Sequence, residues 1–110
     1  MDCLFCKIIA EEIPSAKVYE DENVLAFKDI NPQVPVHVLV VPKKHMANIL
    51  ECDGETMNSL LSAVQKIAEL LGVAQSGFRI VSNCGKDGAQ SVEHLHIHIL
   101  GGCQLSGSMG

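Results

Sequence analysis

Residues 91–102 read SVEHLHIHILGG, in which a histidine stands at every second position of an apolar run. Successive side chains of a β-strand point to opposite faces, so this spacing predicts a strand with His94, His96 and His98 on one face and apolar residues on the other. The three imidazoles could alternate by chance on a solvated face of the sheet. Otherwise, three imidazoles on one face indicate either a metal site or covalent chemistry. The apolar face predicts packing on a core.

The flanking sequence predicts an α+β fold around this strand. The segment VHVLVVP at 36–42 is a β-branched run typical of a buried strand, and Asp53 can cap a long helix that begins near Gly54 and ends at Gly72. Strands joined mainly by short turns favour an antiparallel sheet of about five strands with two helices over a wound parallel sheet. The other predicted elements are a short helix that starts at Cys3 and ends before Pro14, a hairpin at 17–30 and a strand at 78–83.

Length and composition restrict the class of protein. The 110 residues predict one domain over 1–110, with a flexible tail at about 105–110. A net charge of −5, with no basic cluster beyond Lys43 and Lys44, argues against a nucleic-acid polymer as partner. We expect neither export nor a membrane span, since the sequence shows no secretory signal and no apolar run of about 18 residues. Five cysteines without secretory context predict free thiols or metal ligands in the cytoplasm.

The loop CGKDGAQS, residues 84–91, precedes the histidine strand and has the composition of an anion site. Small residues let backbone N–H groups approach a ligand, and neutral polar side chains add donors. A neutral imidazole beside a phosphate cradle can attack phosphorus and form a covalent intermediate. Phosphoryl chemistry is therefore favoured, and three histidines ligating a catalytic zinc ion stay an alternative. The candidate phosphate-binding residues are Asn83, Gly85, Gly88, Ala89, Gln90 and Ser91.

Cys3 and Cys6, in DCLFCKII, open the first predicted helix. A thioredoxin-like redox pair would follow a strand, and no strand is predicted before this one. Buried structural thiols and a structural zinc site are the other interpretations. A zinc site needs four ligands, so two more would have to come from elsewhere in the chain.

Together these motifs resemble the histidine triad (HIT) family, specifically its nucleotide-binding Hint branch. The resemblance rests on NCGKDGAQSVEHLHIHILGG at 83–102 and FKDINPQVPVHVLVVPKKH at 27–45, and covers the chain from about Cys3 to Gly102. It implies the HIT-like fold, a homodimer with a continuous sheet, and hydrolysis of purine nucleoside 5′-phosphoramidates and related conjugates of AMP or GMP through a nucleotidyl-histidine intermediate. Nucleotidyltransferase relatives carry Gln where this chain has His98, which favours a hydrolase. A dinucleoside polyphosphate hydrolase and a nucleotide-binding interaction module with vestigial hydrolysis stay alternatives.

The resemblance also implies roles for individual residues. His96 would be the nucleophile and His37 would flank the site, while Asp29 would hold the ribose hydroxyls. His98 would bind the α-phosphate together with Asn83, Gln90, Ser91 and the loop residue Ala89, which stands where the branch usually has glycine. The base pocket would be lined by Leu4, Phe5, Ile8, Phe27, Ile30 and Leu39. Relatives with a CxxC pair further imply a structural zinc ion, not required for the chemistry, at Cys3, Cys6, His45 and His94.

Overall fold

The computed structural model describes residues 3–109, so residues 1, 2 and 110, at the ends of the predicted domain, lie outside the described part. Five strands form one antiparallel sheet in the order β1-β2-β3-β5-β4, and two α-helices accompany it. This confirms the predicted α+β fold. The elements are α1 (Leu4–Ile9), β1 (Lys17–Glu20), β2 (Val24–Lys28), β3 (Val36–Pro42), a short 3₁₀ helix (Ile49–Glu51), α2 (Gly54–Leu70), β4 (Phe78–Val81) and β5 (Ile97–Gly101).

The long helix α2 covers one face of the sheet. Its N-terminus is fixed as the sequence predicts, because the Asp53 carboxylate accepts a hydrogen bond of 2.7 Å from the backbone N–H of Thr56. Its buried stripe packs on alternate residues of the central strands, as the periods of helix and strand require. This core contains Leu60, Ala63, Val64 and Ile67 of α2 with Val38, Val40, Ile97 and Ile99 of the sheet.

The opposite face of the sheet is covered in part by the short helix α1. Phe5 and Ile8 pack there against Leu39 and Val41, the residues of β3 that point away from α2. Strand β3 is therefore buried on both sides, as its run of β-branched residues predicts. Because α1 covers only part of this face, it forms one wall of a cavity on the side of the sheet that carries His96 and His98.

The last strand is shorter than the histidine pattern predicts, because β5 begins only at Ile97. Val40 and Ile97 form the last pair between β3 and β5. Beyond it, the backbone N–H of Leu95 donates to the Met46 carbonyl at 2.7 Å, so the chain leaves β3 and pairs with the loop that follows it. His94 and His96 therefore precede the strand, although Leu95 still faces the α2 core.

The sheet ends on one side at β4, which pairs with β5 only. The C-terminal segment lies near this strand, and the Arg79 guanidinium donates a hydrogen bond to the Ser106 carbonyl. Within residues 3–109, no helix is long and apolar enough to cross a membrane.

Candidate active site and metal cluster

A cavity of about 410 Å³ opens between α1 and the sheet face opposite α2. All six residues predicted to form a base pocket line it, as do the predicted ribose ligand Asp29 and the predicted phosphate ligand Ser91. His96 and His98 lie at the same cavity. The structure thus brings together apolar side walls, a carboxylate and two imidazoles, which is the composition of a site for an amphipathic ligand such as a nucleotide.

The His96 ring is held in one tautomer by the backbone. Its Nδ1 lies 2.7 Å from the His94 carbonyl oxygen, which can only accept, so Nδ1 carries the proton. In the neutral ring this leaves a lone pair on Nε2. Phe5 packs edge-on against the ring with centroids 5.1 Å apart, and His96 is only 3% exposed. His96 therefore presents a nucleophilic nitrogen in a fixed orientation at the cavity.

His98 is oriented by a hydrogen-bonded relay that starts in the loop before β3. The Gln33 N–H donates to His37 Nδ1 at 3.1 Å, so the proton of His37 resides on Nε2. That nitrogen lies 2.9 Å from His98 Nδ1 and 3.3 Å from an Asp29 carboxylate oxygen. His98 Nδ1 is therefore an acceptor, and its Nε2–H is left to donate to a ligand in the cavity.

The protonation of His98 follows from its surroundings. Burial, together with the neighbouring His96 and His37 imidazoles, lowers the pKa of His98 to about 4, while Asp29 acts in the opposite direction. His98 is thus neutral near pH 7, in agreement with the acceptor role of its Nδ1. A neutral donor stabilises an anionic phosphoryl group by a hydrogen bond without a competing proton transfer.

The loop before the histidines is fixed by its own side chains and by steric restriction. The Asn83 amide donates to the Gly88 carbonyl at 2.7 Å. Gly88 has no space for a side chain, since a Cβ there would lie 2.4 Å from the Cys84 carbonyl oxygen. Ala89 has a φ of +58°, which is strained for a residue with a side chain. Strain of this kind is common where backbone geometry has been adapted to a ligand.

The Gln90 side chain is fully occupied by backbone groups. Its amide nitrogen donates to the carbonyls of Ala47 at 2.6 Å and Val92 at 2.9 Å, and its oxygen accepts from the Gly85 N–H at 2.9 Å. The backbone N–H of Gln90 also bonds to the Gly85 carbonyl. Of the predicted phosphate ligands, Ser91 and His98 line the cavity, whereas Asn83, Ala89 and Gln90 are not part of its lining.

Cys3, Cys6, His45 and His94 form a compact cluster beside α1, with one ligand atom of each within 4.8 Å of the others. His94 Nδ1 lies 3.4 Å from the Cys3 sulfur, 3.6 Å from the Cys6 sulfur and 3.1 Å from His45 Nδ1. Cys6 Sγ lies 3.3 Å from His45 Nδ1. Ligand atoms around a tetrahedral zinc ion are about 3.3–3.8 Å apart. The four distances of 3.1–3.6 Å are close to that spacing, and two thiols with two imidazoles have the chemistry of a zinc site.

The tautomer of His94 is the one that a metal ligand requires. Its Nε2 lies 2.9 Å from the Pro42 carbonyl and must donate to it, which leaves the Nδ1 lone pair directed at the two thiols. His94 is fully buried, and burial lowers its pKa, with partial compensation from the Pro42 carbonyl. The ring is thus neutral and able to ligate a cation.

Asp29, His37 and His98 are a second group of close metal-type atoms, but their hydrogen bonds favour a proton relay. A metal ion at His37 Nε2 would require the proton on Nδ1, where the Gln33 N–H already donates. The three motif histidines do not converge on one point among residues 3–109, because His94 belongs to the cysteine cluster and His98 to the relay. This arrangement does not favour a catalytic metal held by all three.

Comparison with known proteins agrees with the fold and the motif. The HIT domain family profile matches residues 10–105 of the 110. The chain belongs to the HIT family. A crystal structure of a HIT family hydrolase from Legionella pneumophila Philadelphia 1 superposes with a TM-score of 0.95 at 44% identity, covering 99% of this chain and 100% of that one. A histidine triad protein from Clostridium difficile gives a TM-score of 0.93 at 50% identity, covering 98% and 96%.

Two sequence relatives extend the comparison. A HIT-like protein of Synechococcus elongatus is 49% identical over 108 residues, covering 96% of this chain and 94% of that protein. A 14 kDa zinc-binding protein of Zea mays is 46% identical over 108 residues, covering 94% and 84%. The resemblance that the histidine motif predicts is thus confirmed at the level of the HIT family.

Several residues of this HIT site carry no signal in the sequence. The cavity is also lined by Val92 and by a segment that extends from Ile13 to Ala16. The Gln33 N–H and the Pro42, Met46 and Ala47 carbonyls act through backbone atoms, which residue type does not reveal. Only Pro14 gives a hint, since the residue before a proline avoids helical backbone and the segment around Pro14 lines the cavity.

Proposed function

We propose that this HIT protein hydrolyses purine nucleoside 5′-phosphoramidates and related nucleoside monophosphate conjugates through a nucleotidyl intermediate on His96. The observation that carries the proposal is the 2.7 Å contact from His96 Nδ1 to the His94 carbonyl, which leaves Nε2 as a free nucleophile at the cavity. The relatives named as HIT family hydrolases support the reaction class.

In the first step, His96 Nε2 attacks phosphorus and a nitrogen–phosphorus bond forms. The bond from phosphorus to the amine breaks, and the amine leaves with its electron pair and takes up a proton from solvent, which the attacking water returns in the second step. The positive charge that develops on the His96 ring is stabilised by the His94 carbonyl, which already accepts the Nδ1–H. His98 Nε2–H donates to a phosphoryl oxygen, and Ser91 adds a donor at the same cavity.

In the second step, water attacks phosphorus and displaces His96, which regenerates the free imidazole. Over both steps one water molecule supplies a proton to the amine and a hydroxyl group to the phosphate, so the products are a nucleoside monophosphate and an amine. Dividing the reaction at a covalent intermediate lowers the barrier that a single displacement by water would face.

The cavity accounts for a nucleoside as the constant part of the substrate. Phe5 and Phe27 meet edge to face with centroids 5.5 Å apart, and together with Leu39 they form apolar walls suited to a flat purine. One Asp29 oxygen accepts from the Asn31 N–H at 2.9 Å, which fixes the carboxylate at the cavity rim, where it can accept from ribose hydroxyls. The leaving amine projects from the open end.

We also propose that the cysteine cluster holds a structural zinc ion, which would join α1 to the segments that carry His45 and His94. The cluster chemistry supports this, and so does the relative named as a zinc-binding protein. Zinc supplies strong bonds to thiolates and imidazoles when bound, and it has no part in the phosphoryl steps. A reducing compartment such as the cytoplasm would keep Cys3 and Cys6 available as ligands.

A homodimer is part of the proposal, formed through the free edge of β4. Phe78 and Ile80 share one face of this short edge strand and are 38% and 53% exposed, so an apolar surface adjoins an unpaired strand edge. Pairing of two β4 strands would bury them and make one continuous sheet. Light scattering of wild type and Ile80→Lys should show a dimer and a monomer, respectively; a monomeric wild type would contradict this part.

One experiment tests the reaction. The protein is mixed with adenosine 5′-phosphoramidate, quenched within milliseconds and analysed by intact mass, and we expect an adenylyl adduct that disappears as AMP accumulates. His96→Ala should form no adduct and lose at least about 10³-fold in kcat. Binding of AMP without adduct or turnover would instead support a nucleotide-binding module. Turnover that survives His96→Ala and is abolished by a chelator would support a catalytic metal.

A further inference from the structure

Gln90 joins three separate segments of the chain near the cavity. Its side-chain amide bonds to the backbone of Gly85 in the loop, of Val92 beside the cavity, and of Ala47 in the segment that follows β3. Both amide hydrogens are used, so this side chain has no donor left for a phosphate. The residue next to it, Ser91, lines the cavity.

The segment 45–47 connects this amide to the cysteine cluster. His45 contributes Nδ1 to the cluster, 3.3 Å from the Cys6 sulfur. The Met46 carbonyl accepts from the Leu95 N–H, between His94 and His96, and the Ala47 carbonyl accepts from Gln90. His45 itself is exposed, so ligation would add a restraint at the start of a segment whose next residue, Met46, is already buried in the core.

We propose that Gln90 is a positioning residue that couples the cysteine cluster to the loop at residues 84–91, so that a cluster occupied by zinc tightens nucleotide binding. Ligation of His45 would further restrain the backbone that leads to Ala47. The Ala47 carbonyl would then hold the Gln90 amide, and the amide would hold the loop from Gly85 to Ser91. The inference rests on the proposed function, because it concerns the affinity of the same site for a nucleotide.

Glutamine suits this role because the three partners require two donors and one acceptor on a single planar group. The substitution Gln90→Glu retains the shape and volume of the side chain but sets carboxylate oxygens against two carbonyls. It therefore breaks the links to Ala47 and Val92 without opening a cavity. Gln104→Glu is the matched control, since the exposed Gln104 amide donates only to the adjacent Leu105 carbonyl.

The test is calorimetric titration of AMP into four zinc-loaded proteins: wild type, Gln90→Glu, His45→Gln and the double variant. His45→Gln leaves Cys3, Cys6 and His94 as three zinc ligands, which keeps the fold while it frees the segment. We expect each single variant to weaken AMP binding about tenfold, and the double variant to bind no more weakly than either one. Hydrogen exchange of amides 85–91 should rise in both single variants, and Gln104→Glu should match wild type in both measurements.

The outcomes separate the two proposals. If the losses of AMP affinity caused by His45→Gln and by Gln90→Glu multiply in the double variant, the two residues act independently. That result would overturn the coupling and leave the proposed function standing. Unchanged AMP affinity and loop exchange in His45→Gln would also overturn it. If wild type does not bind AMP at all, the proposed function fails, and the inference fails with it. A wild type stripped of zinc by a chelator, if it stays folded by circular dichroism, should reproduce the weaker binding of His45→Gln.

Discussion

His37 and His98 share a hydrogen bond of 2.9 Å between Nε2 and Nδ1, and this bond sets the donor that His98 offers to the cavity. His37→Leu removes the N–H donor, so the His98 ring can rotate or change tautomer. We expect kcat for a nucleoside phosphoramidate to fall about 10–100-fold. His37→Gln can still donate through its amide and should recover part of the loss. Equal activity of the leucine variant and wild type would contradict the relay.

The low pKa of His98 predicts a loss of stability in acid. The folded chain takes up the proton only near pH 4, whereas an unfolded histidine takes it up near 6.5, so the unfolded state binds more protons between these values. The contribution of neutral His98 to the free energy of unfolding is therefore fully present above pH 6.5 and is lost as the pH falls towards 4. Because His98 is only half-buried, we expect about 2 kcal/mol rather than the full value of the shift.

Urea unfolding at several pH values with constant zinc measures this effect. Wild type should lose about 2 kcal/mol more than His98→Asn between pH 7 and pH 4.5, because the variant cannot take up the proton in either state. Zinc release in acid affects both proteins, so the difference isolates His98. Parallel pH profiles of the two proteins would show that the folded pKa is not depressed.

Most of the fold follows from periodicity and capping. The alternation in β3 and the apolar stripe of α2 are decided locally, and Asp53 forms the expected cap. The start of β5 is not decided locally, because the Leu95 N–H bonds to Met46, a partner 49 residues away in sequence. The histidine alternation continues beyond the strand because His94 is held by the distant Pro42 carbonyl and His96 by the His94 carbonyl, and no spacing rule contains that information.

The candidate site likewise contains residues that the sequence identifies and residues that only the structure identifies. Residue types identify His96, His98 and the cysteine cluster, whose side chains act directly. The roles of Gln33, Pro42 and Ala47 depend on backbone groups, which every residue possesses, so a sequence cannot single them out. The side chain of Gln90 is an intermediate case, since its residue type suggests a ligand donor and only the structure shows that its donors are used.

Loss of the cysteine pair should remove the zinc ion and destabilise the fold. Cys3→Ser/Cys6→Ser deletes two of four ligands and the link between α1 and His94. We expect metal analysis to find about one zinc per wild-type chain and little in the variant, with a fall in Tm of more than about 10 °C. Cys103→Ser, at an exposed cysteine that is not part of the cluster, is the control and should retain both zinc and Tm. A zinc-free wild type of equal stability would refute the site.

Substitutions at the adjacent loop residues Gly88 and Ala89 should change the free energy of unfolding in opposite directions. Ala89→Gly relieves a positive φ of 58° and should raise the free energy of unfolding by about 0.5–1 kcal/mol. Gly88→Ala places a Cβ 2.4 Å from the Cys84 carbonyl oxygen, a backbone atom that cannot move freely, and should lower it by about 2–3 kcal/mol. Denaturant unfolding measures both. A destabilised Ala89→Gly would show that the side chain makes a contact that outweighs the strain.

The position of Asp29 predicts selectivity for ribose over deoxyribose. Its carboxylate is fixed by the Asn31 N–H and lies at the cavity rim beside the apolar walls, so a charged acceptor would face the sugar of the proposed nucleotide. Hydrogen bonds to charged groups contribute about 1.5–3 kcal/mol, so AMP should bind at least about tenfold more tightly than 2′-deoxy-AMP. Asp29→Asn keeps the shape and removes the charge, and the ratio of the two affinities should fall to a few-fold.

Because Asp29 also contacts His37, the ratio is a better measure than either affinity alone. Asp87→Asn is the control: it changes an exposed carboxylate of the loop at residues 84–91 and should leave the ratio of affinities unchanged. A ratio near one in wild type, or one that Asp29→Asn leaves intact, would place the sugar elsewhere in the cavity.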